Sequence, residues 1–262
     1  MPKTPITYYG GKINLLKEIL PLIPEHKIYT EPFFGGGAVF FAKKPAVSEV
    51  INDTNAMVVT FFEVCKTDFE KLKAKVQATP FSRATYSVAV AIYRMPHLFN
   101  KIQQAWAFYV GTNMGFSTTI GSWGYDRYGK RVRAFRNKTM RFNESIVKRL
   151  EQVQIEHNDA IKVIESRDAP DAFHYVDPPY IDVHQGHYDG YTREDYRRLL
   201  STLVGINGKF LLSSYPNDIL TEFTQQHRWY TRRFDKPLSA SKMSQGGTRK
   251  RKVEVLTANY PI

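Results

Sequence analysis

Cysteine is almost absent from this 262-residue chain: Cys65 stands alone. That excludes a disulfide framework or a thiolate zinc site within the chain and leaves Cys65 the part of a small core residue. No apolar run approaches the ~20 residues of a spanning helix, and the amino terminus carries no apolar signal core, so a cytoplasmic protein is expected. Acidic residues are also short. Against 37 Lys and Arg stand 25 Asp and Glu, a formal net charge of +12 and a pI near 9.6. A polyanionic partner is the leading explanation, with nucleic acid ahead of membrane. No internal repeat is visible. What is present is an ordinary globular composition, at a length that suits one large α/β domain or a core domain carrying a smaller insertion.

After Gly10 and Gly11, Ile13, Leu16, Ile19 and Leu20 recur with helical spacing until Pro21 stops them. Ile28 to Glu31 reads as a strand, Phe33 to Gly37 as a glycine-rich turn and Ala38 to Ala42 as a helix start. Val47 to Ile51 is the next strand, and a long helical pattern runs from Asn55 through Ala78. Strand, glycine turn, helix, strand and helix in succession mark a parallel α/β sheet. From Thr79 to Phe142 the chain becomes rich in Tyr, Phe, Trp, Arg and Lys, and around Gly111 to Gly129 it loses periodicity. Residues 79–142 therefore read as an insertion, with a loop or hairpin, in a core formed by 1–78 and 143–262. Regularity resumes with Asn143 capping a helix to about Gln152, a strand at Val153 to Glu156, a helix after Asp159 and a strand at Phe173 to Val176. Thr192 and Asp195 make a capping box for a helix to about Val204. Phe210 to Ser214, Trp229 to Phe234 and Val253 to Ala258 are the last strands.

The strand Phe173 to Val176 ends abruptly in Asp177, Pro178, Pro179 and Tyr180. A residue before proline is pushed to extended geometry, so both Asp177 and Pro178 leave the strand in one fixed direction. The ionised carboxylate of Asp177 accepts only, the carbonyl of Pro178 accepts as well, and Tyr180 supplies a flat face beside them. An exocyclic amine on an aromatic base, with two N–H bonds and two ring faces, matches that arrangement. The plainer alternative is a strand-terminating loop.

Glu31, Phe33, Gly35 and Gly37 lie where a strand turns into a helix, and glycine there lets backbone approach a ligand without Cβ interference. Asp53 ends the following strand, where nucleoside-binding α/β folds place an acid on ribose hydroxyls ~20 residues past the glycines. Phe40 stands where a dinucleotide fingerprint has Gly or Ala, which argues for a nucleoside over a pyrophosphate. A tight turn with an exposed Asp is the alternative. Gly10, Gly11 and Lys12 do not make a phosphate loop, because the earlier glycine is missing and Ile13 replaces the hydroxyl residue that would hold magnesium.

Together, Tyr8 to Lys12, Glu31 to Gly37, Asp53, the Asp177 tetrapeptide and the tail Gly246, Gly247, Thr248, Arg249, Lys250 resemble the Dam-type, alpha-class (D12) DNA adenine-N6 methyltransferases over nearly the whole chain. The resemblance implies a Rossmann-like S-adenosylmethionine-dependent methyltransferase fold with an inserted, partly helical target-recognition region. It implies transfer of a methyl group from S-adenosylmethionine to N6 of a flipped adenine, by a monomer acting on double-stranded DNA, and it admits a cognate restriction endonuclease as partner. Asp177, Pro178, Pro179 and Tyr180 would be catalytic, Tyr180 by stacking on the base. Tyr8, Lys12, Glu31, Phe33, Gly35, Gly37, Asp53, Asp159 and Asp177 would line the cofactor, with Asp159 beside its adenine unless it is merely a helix cap. No metal is required. Asp182, His184 and His187 supply too few ligands to specify one, and a loop closing on DNA is the favoured reading. Methylation of cytosine N4 or of RNA adenine, and an inactive DNA-binding protein, are the competing readings.

For DNA, the insertion offers Arg127, Lys130, Arg131, Arg133, Arg136 and Lys138 interleaved with Tyr125 and Tyr128, suited to phosphates and bases. Asn113, Met114, Gly115 and Phe116 look like a divergent form of the family's Asn, aromatic and Gly run, which leaves the target sequence unassigned. Lys242 and the run Arg249, Lys250, Arg251 and Lys252 are expected to clamp the backbone and to make binding salt-dependent.

Overall fold

The computed structural model describes residues 3–116, 119–181, 191–237 and 251–262. The chain is mixed α/β. Its strands are β1 (Ile28–Glu31), β2 (Ser48–Asn52), β3 (Gly115–Phe116), β4 (Thr119–Trp123), β5 (Val153–Glu156), β6 (Ala172–Val176), β7 (Lys209–Ser214), β8 (Tyr230–Pro237) and β9 (Arg251–Ala258). The described residues of Met1–Leu20, Phe34–Pro45 and Glu49–Asn158 form one compact unit, and those of Pro21–Phe33, Ala46–Ser48 and Asp159–Ile262 form a second. Among the described residues no helix is long and apolar enough to cross a membrane.

In the second unit the strands run in the order β1-β6-β7-β9-β8. Pairing is parallel from β1 through β7, and antiparallel where β9 enters between β7 and β8. Every residue of β6, Ala-Phe-His-Tyr-Val, is buried, as expected of a parallel strand covered on both faces. Val176, Phe210 and Leu212 pack with Tyr196, Leu199, Leu200 and Leu203 of the helix Arg193–Gly205, and with Ile219, Leu220 and Phe223 of the helix Asp218–His227. The anticipated capping box starts the first of these helices. Asp195 N–H donates to Thr192 Oγ1 at 3.1 Å, and Thr192 N–H donates to Asp195 Oδ2 at 2.9 Å.

In the first unit β2 pairs in parallel with β5, and β3 with β4 in an antiparallel hairpin. The helical pattern read as continuous from Asn55 to Ala78 is two helices, Ala56–Thr67 and Phe69–Gln77. Asp68 breaks it at φ −134°, ψ 36°, and its carboxylate pairs with Lys71 at 2.8 Å. Asn143 does not cap the next helix directly, since the helix is Ser145–Leu150 with Glu144 at the cap position. Its amide oxygen instead accepts the Ser145 N–H at 3.1 Å. Pro21 lies inside a short 3₁₀ turn, Leu20–Leu22, beyond the helix it was expected to end.

The segment 79–142 is mostly helical: Arg83–Arg94, Lys101–Met114 and Lys130–Arg141 flank the hairpin. The helix Lys101–Met114 is buried nearly all round from Ala105 to Thr112 and packs on both Ala56–Thr67 and Arg83–Arg94. A helix apolar on every face has no amphipathic period, which is why no helical pattern shows over its last turn. Its Phe108 and Tyr109 meet Phe61 and Phe142 in an aromatic cluster, with ring centroids 5.2 to 6.4 Å apart.

Candidate functional site

The glycine turn of the first unit is shaped by close approach. Gly35 and Gly37 have φ of +49° and +63°, a region costly for any side chain. A Cβ on Gly35 would lie 2.7 Å from the Tyr8 ring, and one on Gly37 would lie 2.3 Å from the Phe34 ring. Gly37 caps the short helix Ala38–Ala42. Thr4 Oγ1 donates to the carbonyl of Gly36, and Gly11 N–H donates to Tyr8 O at 3.1 Å, so the amino-terminal loop lies along the turn. Lys12 is buried, with its ammonium donating to Gly10 O at 2.7 Å.

Asp53 is 9 % exposed, so it is not the exposed turn residue of the plainer reading. Its Oδ2 accepts the Gly35 N–H at 2.7 Å and its Oδ1 the Asn55 N–H at 2.8 Å. Burial pushes its carboxyl up, opposed by these two backbone bonds and by His157. Each oxygen keeps a second lone pair for a hydroxyl. The strand end is pinned as well, because Asn52 Nδ2 donates to Asn158 O at 3.0 Å while Asn158 N–H returns a bond to Asn52 Oδ1 at 2.9 Å.

In the second unit Glu31 ends β1, 2 % exposed, and the half-buried ring of Phe33 stands edge-on to Tyr191 at 6.2 Å. Asp159 is the cap of the helix Ala160–Ser166, its Oδ1 accepting Ile161 N–H at 2.8 Å, and its Oδ2 pairs with Arg198 at 3.1 Å. The cap reading is thus the one its hydrogen bonds express.

Past β6, Pro178 is buried and Asp177 and Tyr180 are half-buried. The hydroxyl of Tyr180 is a meeting point: it lies 2.9 Å from Glu254 Oε2, 3.0 Å from Ser213 Oγ and 3.3 Å from Asp177 Oδ1. Burial first, then the charges of Asp177 and Glu254, push the phenol of Tyr180 far up. Its ring meets Tyr215 edge-on at 4.4 Å. Lys252 pairs with Glu254 Oε1 at 2.7 Å and donates to Tyr215 Oη at 3.0 Å. Neighbouring Tyr175 is likewise pushed far up by burial, then by Asp177, Glu31 and Glu254. Those carboxylates therefore share one neighbourhood of this unit.

Sequence reading missed Glu254, Ser213 and Tyr215. A signal was available for the first: Lys252 and Glu254 share one strand face with Leu256 and Ala258, and a carboxylate at such a position needs a partner.

The basic residues of 79–142 divide. Arg127, Lys130, Arg133 and Arg136 are exposed, beside Tyr125 and Tyr128 at 80 % and 70 % exposure. Arg131 is engaged internally, donating to the carbonyls of Met114 and Gly115 at 2.6 and 2.8 Å. Asn113 gives its amide N–H to Pro5 O at 3.2 Å and its oxygen to the ammonium of Lys138 at 2.8 Å. Burial lowers that ammonium to about 8, helped by Arg131. Lys252, expected on DNA, holds Glu254. Lys242, Arg249, Lys250, the side chain of Arg251, and Asp182, His184 and His187 lie outside the described residues.

A family model described as D12 class N6 adenine-specific DNA methyltransferase matches residues 8–233. A DNA N-6-adenine-methyltransferase of Escherichia phage P1 is 36 % identical over 63 residues, 24 % of this chain and 8 % of that protein. The Type II methyltransferase M1.LlaDCHI of Lactococcus lactis subsp. cremoris is 42 % identical over 64 residues, 24 % of this chain and 22 % of that protein. The chain thus spans less than a quarter of the length of either relative. A solved precorrin 8w decarboxylase from Methanobacterium thermoautotrophicum overlays 98 % of both chains at a TM-score of 0.40 and 8 % identity, a likeness too slight to argue from.

Proposed function

Because the chain belongs to the D12 class N6 adenine-specific DNA methyltransferases, we propose that it transfers a methyl group from S-adenosylmethionine to N6 of an adenine flipped out of duplex DNA. The observation that carries this reading is the Asp177 to Tyr180 segment at the end of a fully buried parallel strand, with the Tyr180 hydroxyl fixed against Ser213 and Glu254 beside Asp177. The setting we propose is a cytoplasmic monomer on DNA, with or without a cognate endonuclease. The fold reading is Rossmann-like, with 79–142 as the target-recognition region inserted between 1–78 and 143–262.

The methyl donor supplies an activated methyl group and needs little beyond orientation. The first unit's turn fits such a group. Its glycines let the Tyr8 and Phe34 rings close onto the turn, and Asp53 beside it retains lone pairs suited to ribose hydroxyls. Tyr8, Lys12, Phe33, Gly35, Gly37, Glu31 and Asp159 are the further cofactor residues of this reading. Asp177 accepts an N–H of the target amine, which favours a more pyramidal nitrogen and stabilises positive charge as it develops there. Pro178 adds its carbonyl as a second acceptor, Pro179 keeps the segment extended and Tyr180 offers a ring face to the base. Holding nitrogen and methyl carbon in line supplies the remaining rate.

Arg127, Lys130, Arg133 and Arg136, exposed beside two tyrosines, are suited to phosphates, and Lys242, Arg249, Lys250 and Arg251 are proposed to join them. Asn113 and Arg131 act on DNA in this reading only through the hairpin and helix they brace. The deciding experiment incubates the protein with the methyl donor and duplex DNA, digests the DNA to nucleosides and weighs them. N6-methyladenine supports the proposal and N4-methylcytosine replaces it. Absence of any methylated nucleoside, with the donor bound, overturns it.

A further inference from the structure

Methylation of an amine releases a proton, and the Tyr180 hydroxyl stands between two carboxylates able to take one. A phenol oxygen carries one hydrogen and two acceptor lone pairs. Around Tyr180 stand two carboxylates and a serine hydroxyl, at 2.9 Å for Glu254 Oε2, 3.3 Å for Asp177 Oδ1 and 3.0 Å for Ser213 Oγ. Only one carboxylate can receive the single hydrogen. The 2.9 Å partner lies within normal O–H···O range and the 3.3 Å partner lies beyond it. With the hydrogen placed on the shorter contact, toward Glu254, the phenol oxygen faces Asp177 Oδ1 as an acceptor, ready to receive a hydrogen from a protonated Asp177.

Resting on the methyltransferase reading, we propose that Glu254 is the terminal acceptor of the proton lost by the target amine, reached from Asp177 through the hydroxyl of Tyr180. As the nitrogen–methyl bond forms, the electron pair of the breaking carbon–sulfur bond stays on sulfur and the amine becomes cationic. Asp177 takes one N–H proton. It passes this to the phenol oxygen of Tyr180 while the phenol's own hydrogen moves to Glu254 Oε2. Asp177 is ionised again, Tyr180 is unchanged, Glu254 is neutral and the base is an uncharged methylamine. Glu254 then loses the proton to water, beside Lys252, whose ammonium lies 2.7 Å from Oε1 and whose side chain is 31 % exposed. Among the described residues, the titratable groups facing Glu254 are Tyr180, Lys252 and Tyr175, with Asp177 meeting Tyr180 and Tyr215 meeting Lys252. Glu254 itself is 5 % exposed, a carboxylate otherwise out of place in a strand running Val-Glu-Val-Leu.

The test is single-turnover methyl transfer to duplex DNA by the full chain, with donor affinity measured separately by calorimetry. Glu254→Gln keeps the size and the acceptor but takes no proton. It is expected to slow transfer ~10²-fold, the low end for a positioned acid–base group. Donor affinity is expected to stay unchanged. Tyr180→Phe, which keeps the ring, should slow transfer to the same extent, and the double variant no further, because the two residues act as one chain. Wild-type rate in Glu254→Gln or in Tyr180→Phe overturns the proposal. A wild-type protein that binds donor and methylates no DNA overturns the methyltransferase reading itself, and that outcome is read in the wild-type arm alone.

Discussion

The backbone N–H of Gly35 donates to Asp53 Oδ2 at 2.7 Å, tying the glycine turn to the end of the neighbouring strand. Gly35 achieves this with φ +49° while the Tyr8 ring fills the space a Cβ would need. Gly35→Ala therefore adds backbone strain to a collision with Tyr8, and a loss of ~1–3 kcal/mol from strain alone is expected. Gly10→Ala is the control, since its φ of +72° is equally unfavourable but nothing lies within 4 Å of its Cβ. Chemical denaturation should show Gly35→Ala as the less stable of the two, and only Gly35→Ala should weaken binding of the methyl donor. Equal effects in both variants would mean that Tyr8 is indifferent to the turn.

Asp53→Ala should act on donor affinity more than on the fold. Burial raises its carboxyl above the ordinary 3.8, so the sign is that of an acid favoured neutral in the folded state. Its ionisation costs nothing below that value and progressively more as pH rises through the raised one. Removing it relieves that cost while losing the bonds from Gly35 and Asn55, and the two partly offset. Donor binding loses charge-assisted hydrogen bonds worth ~1.5–3 kcal/mol, or roughly 10- to 100-fold. Unchanged affinity by calorimetry would refute the ribose assignment.

A buried ion triad in the first unit makes a prediction about stability alone. Glu49 lies between Lys43, at 2.5 Å, and Arg149, whose Nη2 also donates to Phe40 O at 2.9 Å. All are at most 8 % exposed. The Arg149 guanidinium sits 3.5 Å over the Phe40 ring. Burial pushes the Glu49 carboxyl up, but the bonds from Arg149 and Lys43 outweigh it and the net shift is downward. Glu49→Gln strands two buried cations, and a loss of ~3–5 kcal/mol is expected by denaturation. A loss below ~1 kcal/mol, the worth of a surface pair, would show that water reaches the triad.

Much of this was legible in the sequence, for physical reasons that differ by residue. β1, β5 and the helix Ala38–Ala42 fall where read, because glycine and the strand-ending polar residues act locally. The Asp177 tetrapeptide was visible because proline restricts its own neighbours. Ser213 and Glu254 were not, since Ser213 reaches Tyr180 only through the pairing of β6 with β7 and Glu254 only through that of β7 with β9, each more than 30 residues away in the chain. The Glu49 triad joins residues 100 apart. The double burden of Lys138 and Asn113, basic or polar yet turned inward, defeats composition for the same reason. A residue's charge reads the same whether it faces solvent or Thr7.

His174, in the middle of β6, is fully buried, with Nδ1 at 2.7 Å from Thr30 Oγ1 and Nε2 at 3.8 Å from Asp168. Burial lowers its imidazolium from 6.5 to about 4, against the pull of Asp168. For a base whose folded value is depressed, stability is fully present above the unfolded value and is lost as pH falls toward the folded one. The window is therefore pH 6.5 down to about 4. A shift of that size corresponds to at most ~3 kcal/mol. Asp168 is pushed up by burial but held low on balance by Asn207 and Gly208, so it adds its own loss only below the ordinary 3.8. Urea unfolding at stepped pH should show wild-type stability declining through the histidine window, with His174→Gln flatter across it whatever its absolute stability. Parallel pH slopes for the two proteins would mean that His174 takes up its proton in the folded state as readily as in the unfolded chain.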